Sequence, residues 1–336
     1  MKMKRIAFLV LVFMVCGFSV YGQTHFYIVG TYIEGETEKP CYWVDGVERK
    51  PAGASDLIAV DGDKVYTATT KRFDSRNGER AFYWDAERSI GLPNLTGSRY
   101  FDRITGITAS NGKVYVVGDY TDRDKSYDYR YTWGYYMVDG VRKVFDNDII
   151  AGVVIEDGVI YTIGDTIPYH NGAKASWFYA NGQKITLATY YSPVTGLAVE
   201  RGKVYISGYS YNGNQTGSDR KPIYWIDGVS KSLSSPSSNT ITNGIAVENG
   251  KVAVLGYTST KSGDNDIRRY YYWVNDERKE LPDAVIATGI AVIGGKVYIT
   301  GVSKQGPFER GCYWIDGVRQ DLPGNARRAN DITVTR

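Results

Sequence analysis

Short apolar runs recur along this chain in a fixed order, separated by turns rich in Gly, Asn and Asp. Three signatures carry the pattern. The first is LIAV at 57, ITAS at 107, VVIE at 153, LAVE at 197, IAVE at 245, IAVI at 290 and ITVT at 332. The second is FYIVG at 26, KVYTAT at 64, KVYVVG at 113, VIYTIG at 159, KVYISG at 203, KVAVLG at 251 and KVYITG at 296. The third is CYWVDG at 41, FYWDAE at 82, YYMVDG at 136, WFYANG at 177, IYWIDG at 223, YYWVND at 271 and CYWIDG at 312. Each occurs seven times. No stretch after residue 23 sustains a 3.6-residue period, so the runs read as strands and helix is expected to be nearly absent. Runs such as GIAV are apolar on both faces, as expected of strands packed between sheets on both sides.

Two-residue turns such as Asn111-Gly112, Asp157-Gly158 and Asn249-Gly250 join the first signature to the second and supply the positive φ of a tight antiparallel hairpin. The third signature ends in a similar turn, at Asp45-Gly46, Asp139-Gly140, Asn181-Gly182, Asp227-Gly228 and Asp316-Gly317. A short segment follows, such as VRQDL at 318 or ERKEL at 277, and reads as a fourth, outer strand. Units of about 40 to 50 residues with four antiparallel strands are propeller blades, so seven of them predict an all-β, seven-bladed β-propeller. FYIVG at 26 has no first signature ahead of it, and ITVT at 332 has no second signature after it. The C-terminal strand is therefore expected to complete the N-terminal blade, pairing beside residues 25–30 and leaving no open edge. One ring of each Tyr-Trp pair is expected to fill the wedge between blades, which assigns most of the 29 Tyr and 7 Trp to the core.

The first 22 residues stand apart. Lys2, Lys4 and Arg5 precede an apolar run from Ile6 to Val15, and Val20 and Gly22 suit a cut before Gln23. This is the pattern of a secretory signal peptide. It leaves residues 23–336 as a single propeller domain, expected in the periplasm, at the cell surface or secreted. A lipid anchor on Cys16 is the alternative reading, with Val15 a poor residue for the position before a lipidated cysteine. No later stretch has the ~18 to 20 continuous apolar residues of a membrane helix.

Loss of Lys2, Lys4 and Arg5 from the 40 basic residues leaves 37 against 37 acids. That balance argues against a nucleic-acid partner and against a polybasic membrane patch, and a monomer is expected. Beyond the signal only Cys41 and Cys312 remain. They occupy the same position in two repeats and so face the same way round a ring, whereas a bridge needs Cα atoms within roughly 7 Å. Two separate buried thiols are expected.

KVYITG followed by YWIDGV resembles a group of bacterial secreted and lipoprotein repeat proteins whose units read roughly VYVAG…YWKNG, and the resemblance covers residues 25–336. It implies a propeller and an extracytoplasmic location, and it transfers no functional residues. YWVD and YWID also look like the YWTD motif of receptor propellers, but here the motif runs into a tight turn.

The connections from strand two to three and from four to one share the face opposite the tight hairpins. That face holds the variation: KRFDSRNGER at 71, DYTDRDKSYDYRYTWG at 119, DTIPYHNGAKA at 165, YSYNGNQTGSDRKP at 209 and TSTKSGDNDIRR at 257. Variable loops on a rigid scaffold are where function concentrates. Tyr127, Tyr129, Tyr131, Trp133 and Tyr135 alternate along one stretch, either as a platform for sugar rings or a protein, or as cover for the neighbouring blade. The position opening each inner strand is Gly106, Gly152, Gly196, Gly244 or Gly289 in five blades, but Asp56 and Asp331 in two adjacent ones. That acidic pair either binds a cation or amine at the channel mouth or caps backbone N–H groups. Asp119 and Asp165 follow the second strand of blades three and four, as a possible acid and base or as Asx turns, with Arg103 grouped beside them as a binding candidate. Asp122, Asp124, Ser126 and Asp128 alternate like a calcium loop that lacks its Gly and closing Glu. His25 and His170 suit no triad, and no cofactor or metal is implied. The reading is a secreted, non-enzymatic binding or scaffold propeller that takes a glycan or protein partner on its long-loop face. The alternative is a glycan-active enzyme, a glycoside hydrolase or lyase, with acids from Asp119, Asp165, Asp56 and Asp331.

Overall fold

The seven repeats fold into seven four-stranded antiparallel sheets. The computed structural model describes residues 24–49, 53–72, 79–85, 88–91, 100–122, 132–139, 141–145, 148–166, 175–188, 192–211, 219–262 and 265–335. Blade 1 combines residues 25–49 with 326–335, and blades 2 to 7 follow at 57–91, 100–145, 148–188, 194–232, 240–281 and 284–321. Within each blade the order from inside to outside is first signature, second, third and outer segment. Each inner strand packs on the inner strand of the next blade, and that of blade 7 packs on that of blade 1, so the ring is closed as a seven-bladed propeller. The C-terminal strand, Ala326–Thr335, lies antiparallel to His25–Glu34 with Ile332 opposite Ile28. No helix occurs among the described residues, so none is long and apolar enough to cross a membrane.

The Asp-Gly and Asn-Gly turns after the third signature do two jobs. Asp45, Asp139, Asn181, Asp227, Asn275 and Asp316 all sit at φ between 46° and 51°, a left-handed conformation that Asp and Asn tolerate. Their side chains also lock the strand ends. The Val204 N–H donates to Asp227 Oδ1 at 2.8 Å while the Asp227 N–H donates to the Val204 carbonyl at 2.9 Å. The same reciprocal pair joins Phe26 to Asp45, Val252 to Asn275 and Val297 to Asp316.

Indole rings fill the blade interiors: Trp43, Trp177, Trp225, Trp273 and Trp314 are fully buried. The neighbouring ring on the third strand reaches the next blade. The Tyr224 hydroxyl donates to Asp276 Oδ1 at 2.9 Å, and Tyr272 and Tyr313 meet the turns at Gly317 and Gly46. The aromatic excess therefore fills the wedge, as expected. Cys41 and Cys312 are buried and are not joined in a disulfide. Burial pushes the Cys312 thiol up to about 11, so it stays protonated and inert at neutral pH.

One expectation needs correction. The glycines taken to open the inner strands lie inside them, because the strands begin further upstream, at Tyr100, Asp148, Val194, Thr240 and Ala284. A register shift accompanies each of these glycines, for example between Val194 and Gly196 and between Thr242 and Gly244. The bulge re-aims the side chain just before the glycine toward the next blade. Thr105 Oγ1 donates to the Ile150 carbonyl at 2.5 Å, Asn243 Nδ2 to that of Ala287 at 2.9 Å, Thr288 Oγ1 to that of Ala329 at 2.8 Å and Asn330 Nδ2 to that of Ser55 at 2.9 Å. The hydroxyls of Thr195 and Thr242 are 2.7 Å apart. At the other end of the inner strands, carboxylates accept from the hairpin N–H groups of the next blade. Asp61 takes Gly112, Glu156 takes Arg201 and Gly202, Glu200 takes Asn249 and Gly250, and Glu248 takes Gly295. Every seam between blades is thus crossed by at least one side-chain hydrogen bond.

Glycine at the bulge is set by this close approach. A Cβ on Gly196 would lie 2.8 Å from Ser207 Oγ and 3.0 Å from both Gly244 Cα and Ile245 N of the next blade. At Gly152 the nearest atoms are 3.5 Å or more away. Gly196→Ala is therefore expected to destabilise the protein by about 1–3 kcal/mol through overpacking, and Gly152→Ala by much less. Denaturant midpoints of the two variants check this; equal midpoints would contradict it.

Candidate functional site

Tyr127, Tyr129 and Tyr131 fall outside the described residues, as do most of the long connections. The two rings of that stretch that are described both turn inward. Tyr135 is fully buried, with its hydroxyl donating to the Arg103 carbonyl at 3.2 Å and the Arg142 guanidinium 4.2 Å from its ring centroid. Trp133 stacks on Tyr120 at 5.2 Å and packs against the core shared by blades 2 and 3.

The nominated acids are engaged separately. Asp119 is buried and forms a two-point pair with Arg103, Nε to Oδ1 at 3.2 Å and an Nη to Oδ2 at 2.5 Å. Asp165 accepts from Ser176 Oγ at 2.6 Å. Asp331 accepts at one oxygen from the Ile58 N–H of blade 2 at 3.1 Å and at the other from the Ile332 N–H at 2.9 Å. Asp56 accepts from the hydroxyls of Ser55 and Thr69. It also lines a 530 Å³ cavity with Thr31, Glu38, Arg328 and Asn330, where Arg328 pairs with Glu38 at 3.4 Å. Sequence reasoning missed Asp148, a buried carboxylate that takes both Lys184 Nζ, at 2.7 Å, and Trp177 Nε1, at 3.0 Å. Nothing in DND at 146 announces these partners, which come from later strands of the blade.

The channel holds a second cavity of 410 Å³ on the tight-hairpin side, walled mainly by Ile58, Val60, Ile107, Val154, Val199 and Val334. Its polar groups include Glu156 and Glu200, whose oxygens are taken by hairpin N–H groups.

A cavity of 730 Å³ opens on the long-loop side between blades 5 and 6. Its size lies within the ~300–1,000 Å³ of small-ligand sites. On blade 5, Arg220 lines it, and its neighbours Tyr209 and Tyr211 alternate on Lys203–Tyr211 and so share one face. They meet edge to face at 5.6 Å, and the Arg220 guanidinium sits 5.6 and 5.7 Å from their centroids. The floor is the crossing from blade 5 to blade 6, tied down by the Arg220 N–H to the Ser238 carbonyl at 2.6 Å and by Asn239 Nδ2 to the Ser259 carbonyl at 2.9 Å. On the blade 6 wall Arg268 lies 5.0 Å from the Tyr257 centroid and is hydrogen bonded to the Tyr270 hydroxyl. Ser237, Ser259, Thr260, Lys261 and Asp266 complete the polar lining. Both loop sequences had been placed on this face, but Tyr209, Tyr211, Arg220, Tyr257 and Arg268 were not singled out. The usable signal was a Tyr before and an Arg after the variable segment in two successive repeats. Among the described residues no group of three or more His, Cys, Asp and Glu is placed to hold a metal.

No family model matches the chain, and no curated protein does. Among solved structures it is similar to the β-propeller domain of the trilobed protease from Pyrococcus furiosus, at 12% identity and a TM-score of 0.53 over 90% of this chain and 93% of that one. It is also similar to the acylaminoacyl peptidase of Pyrococcus horikoshii, at 13% identity and a TM-score of 0.53, covering 90% of this chain and 50% of that one. The chain spans about half the length of that peptidase. Likeness at these identities is one of fold. The protease domain has an open velcro topology, whereas here the terminal strand zips blade 1 shut.

Asp331 generates a pH prediction. Burial between the inner strands of blades 1 and 2 pushes its carboxyl up to about 7, against the two backbone N–H groups that pull it down. The unfolded carboxyl titrates near ~4, so between ~4 and 7 the native state holds a proton that the unfolded chain has released. This group's contribution is therefore most favourable below that window and falls as pH rises through it. Melting temperatures at pH 5 and 7.5 are expected to drop more in wild type than in Asp331→Asn; parallel drops would refute the shift.

Proposed function

We propose that the protein is a secreted, non-enzymatic binding propeller whose ligand, a glycan or a protein segment, occupies the cleft between blades 5 and 6. One observation carries this reading: a 730 Å³ cavity lies on the variable-loop face and gathers Tyr257, two arginines and several hydroxyl groups. A glycan is the better fit of the two. Ser237, Ser238, Asn239, Ser259 and Thr260 match a hydroxyl-rich ligand, and Ile241 is the one aliphatic side chain in the lining. A protein hot spot wants a desolvated apolar centre instead. The extracytoplasmic location rests on the signal-peptide pattern of residues 1–22.

The enzymatic alternative draws on Asp119, Asp165, Asp56 and Asp331. Asp119 has both oxygens engaged by Arg103, and Asp331 spends both oxygens on backbone N–H groups. These contacts support a binding role over a hydrolytic one.

Glycan-array binding of wild type and of Ser259→Trp, which fills the cleft, tests the proposal. The expected result is a glycan signal that falls about tenfold or more in the variant, with an unchanged melting temperature; tenfold corresponds to roughly 1.4 kcal/mol. Binding that survives the filled cleft would move the site elsewhere. Glycan turnover lost in Asp119→Asn would favour the enzyme.

A further inference from the structure

From Arg220, whose guanidinium lines the cleft with its Nε lacking a hydrogen-bond partner, we infer that the ligand is an acidic saccharide, whose carboxylate is taken by Arg220. This deepens the proposed function and rests on the cleft being the binding site.

Several other cations are neutralised by acids. Arg103 pairs with Asp119, Lys184 with Asp148, Arg328 with Glu38 and Arg327 with Glu309. Arg220 is different. Its Nε is buried with no hydrogen-bond partner, and its contacts among the described residues are the rings of Tyr209 and Tyr211. A buried charged donor left unsatisfied is costly, so its retention beside this cavity points to a partner supplied from outside. Ring contacts engage the guanidinium through its charge and its flat face, which leaves the in-plane N–H groups of its outer nitrogens for an oxyanion.

The chemistry of that partner follows from the fork. Guanidinium matches a planar carboxylate at two points, and a group held in place by two tyrosines loses little freedom on binding. The lining as a whole is positive, with Arg220, Lys261 and Arg268 against Asp266. In a chain whose bases and acids are otherwise balanced after residue 22, such local excess attracts anions. Arg268, stacked on Tyr257 and fixed by the Tyr270 hydroxyl, stands on the opposite wall, so a chain of uronate units could be held at successive carboxylates. The hydroxyls of Ser238 and Ser259 and the amide oxygen of Asn239 line the same cavity and suit the sugar hydroxyls.

The test uses the full mature protein and three uronate oligosaccharides, oligogalacturonate, oligoalginate and hyaluronan. The controls are methyl-esterified oligogalacturonate, dextran sulfate and a neutral dextran oligomer. Calorimetry in low salt is expected to show binding of at least one uronate, about tenfold or more weaker in Arg220→Ala and partly restored in Arg220→Lys, which keeps the charge without the fork. For a galacturonate ligand, esterification is expected to weaken binding as much as Arg220→Ala. Melting temperatures matched to wild type separate lost contact from lost fold. Failure to bind any of the three uronates, or uronate binding indifferent to Arg220→Ala, overturns the inference. If the dextran or the sulfated chain binds better and Ser259→Trp abolishes it, the cleft stands and the carboxylate assignment falls. If Ser259→Trp leaves binding of every probe intact, the cleft itself is wrong.

Discussion

Contact between neighbouring inner strands is the constraint on which the molecule depends. Seven sheets can meet round an axis only if their inner strands approach closely, and the bulge preceding glycine makes this possible. It removes a Cβ where Gly196 faces Gly244, and it turns Thr195 toward the next blade in place of that side chain. One local distortion thus provides both clearance and adhesion. The seam between blades 1 and 2 departs from the pattern. Aspartates replace the glycines there, and Asp331 accepts the Ile58 N–H across the seam at the position where Gly196 approaches Gly244 between blades 5 and 6. Ring closure by the C-terminal strand falls in blade 1, so that departure adjoins the one sheet built from both ends of the chain.

The same seams position the cleft. Blades 5 and 6 are joined at both ends of their inner strands, by Thr195 with Thr242 on one side and by Glu200 with Asn249 and Gly250 on the other. The segment that crosses between them is fixed by Arg220 and Asn239 backbone and side-chain bonds. Its polar lining is therefore mounted on a braced pair of sheets, which keeps the tyrosines and arginines in fixed relation before any ligand arrives. Preorganisation of this kind limits the entropy lost on binding.

Repeat number, strand order and closure were legible in the sequence because they follow from period and turn chemistry, as in Asn249-Gly250 and Asp316-Gly317. The burial of Trp43, Trp225 and Trp314 was legible for the same reason. The bulges were not. ITG, VTG and TNG ahead of the inner runs look like loop residues, and only pairing with strand two reveals that Thr105, Thr195 and Asn243 belong to the ladder. The face of the candidate site was legible from its uneven loop lengths, but its residues were not. Tyr209, Arg220 and Tyr257 come from two repeats and meet across a seam, a relation with no fixed sequence spacing. Alternation drew attention to YDYRYTWGY instead, yet Trp133 and Tyr135 face the core.

Because the innermost strand of blade 1 is Ala326–Thr335, His25–Glu34 must wait for the synthesis of six further blades before its inner edge is covered. The pairing joins positions some three hundred residues apart, and so long a loop makes late assembly slow. Until then this edge stays bare, a defined segment for chaperones to shield.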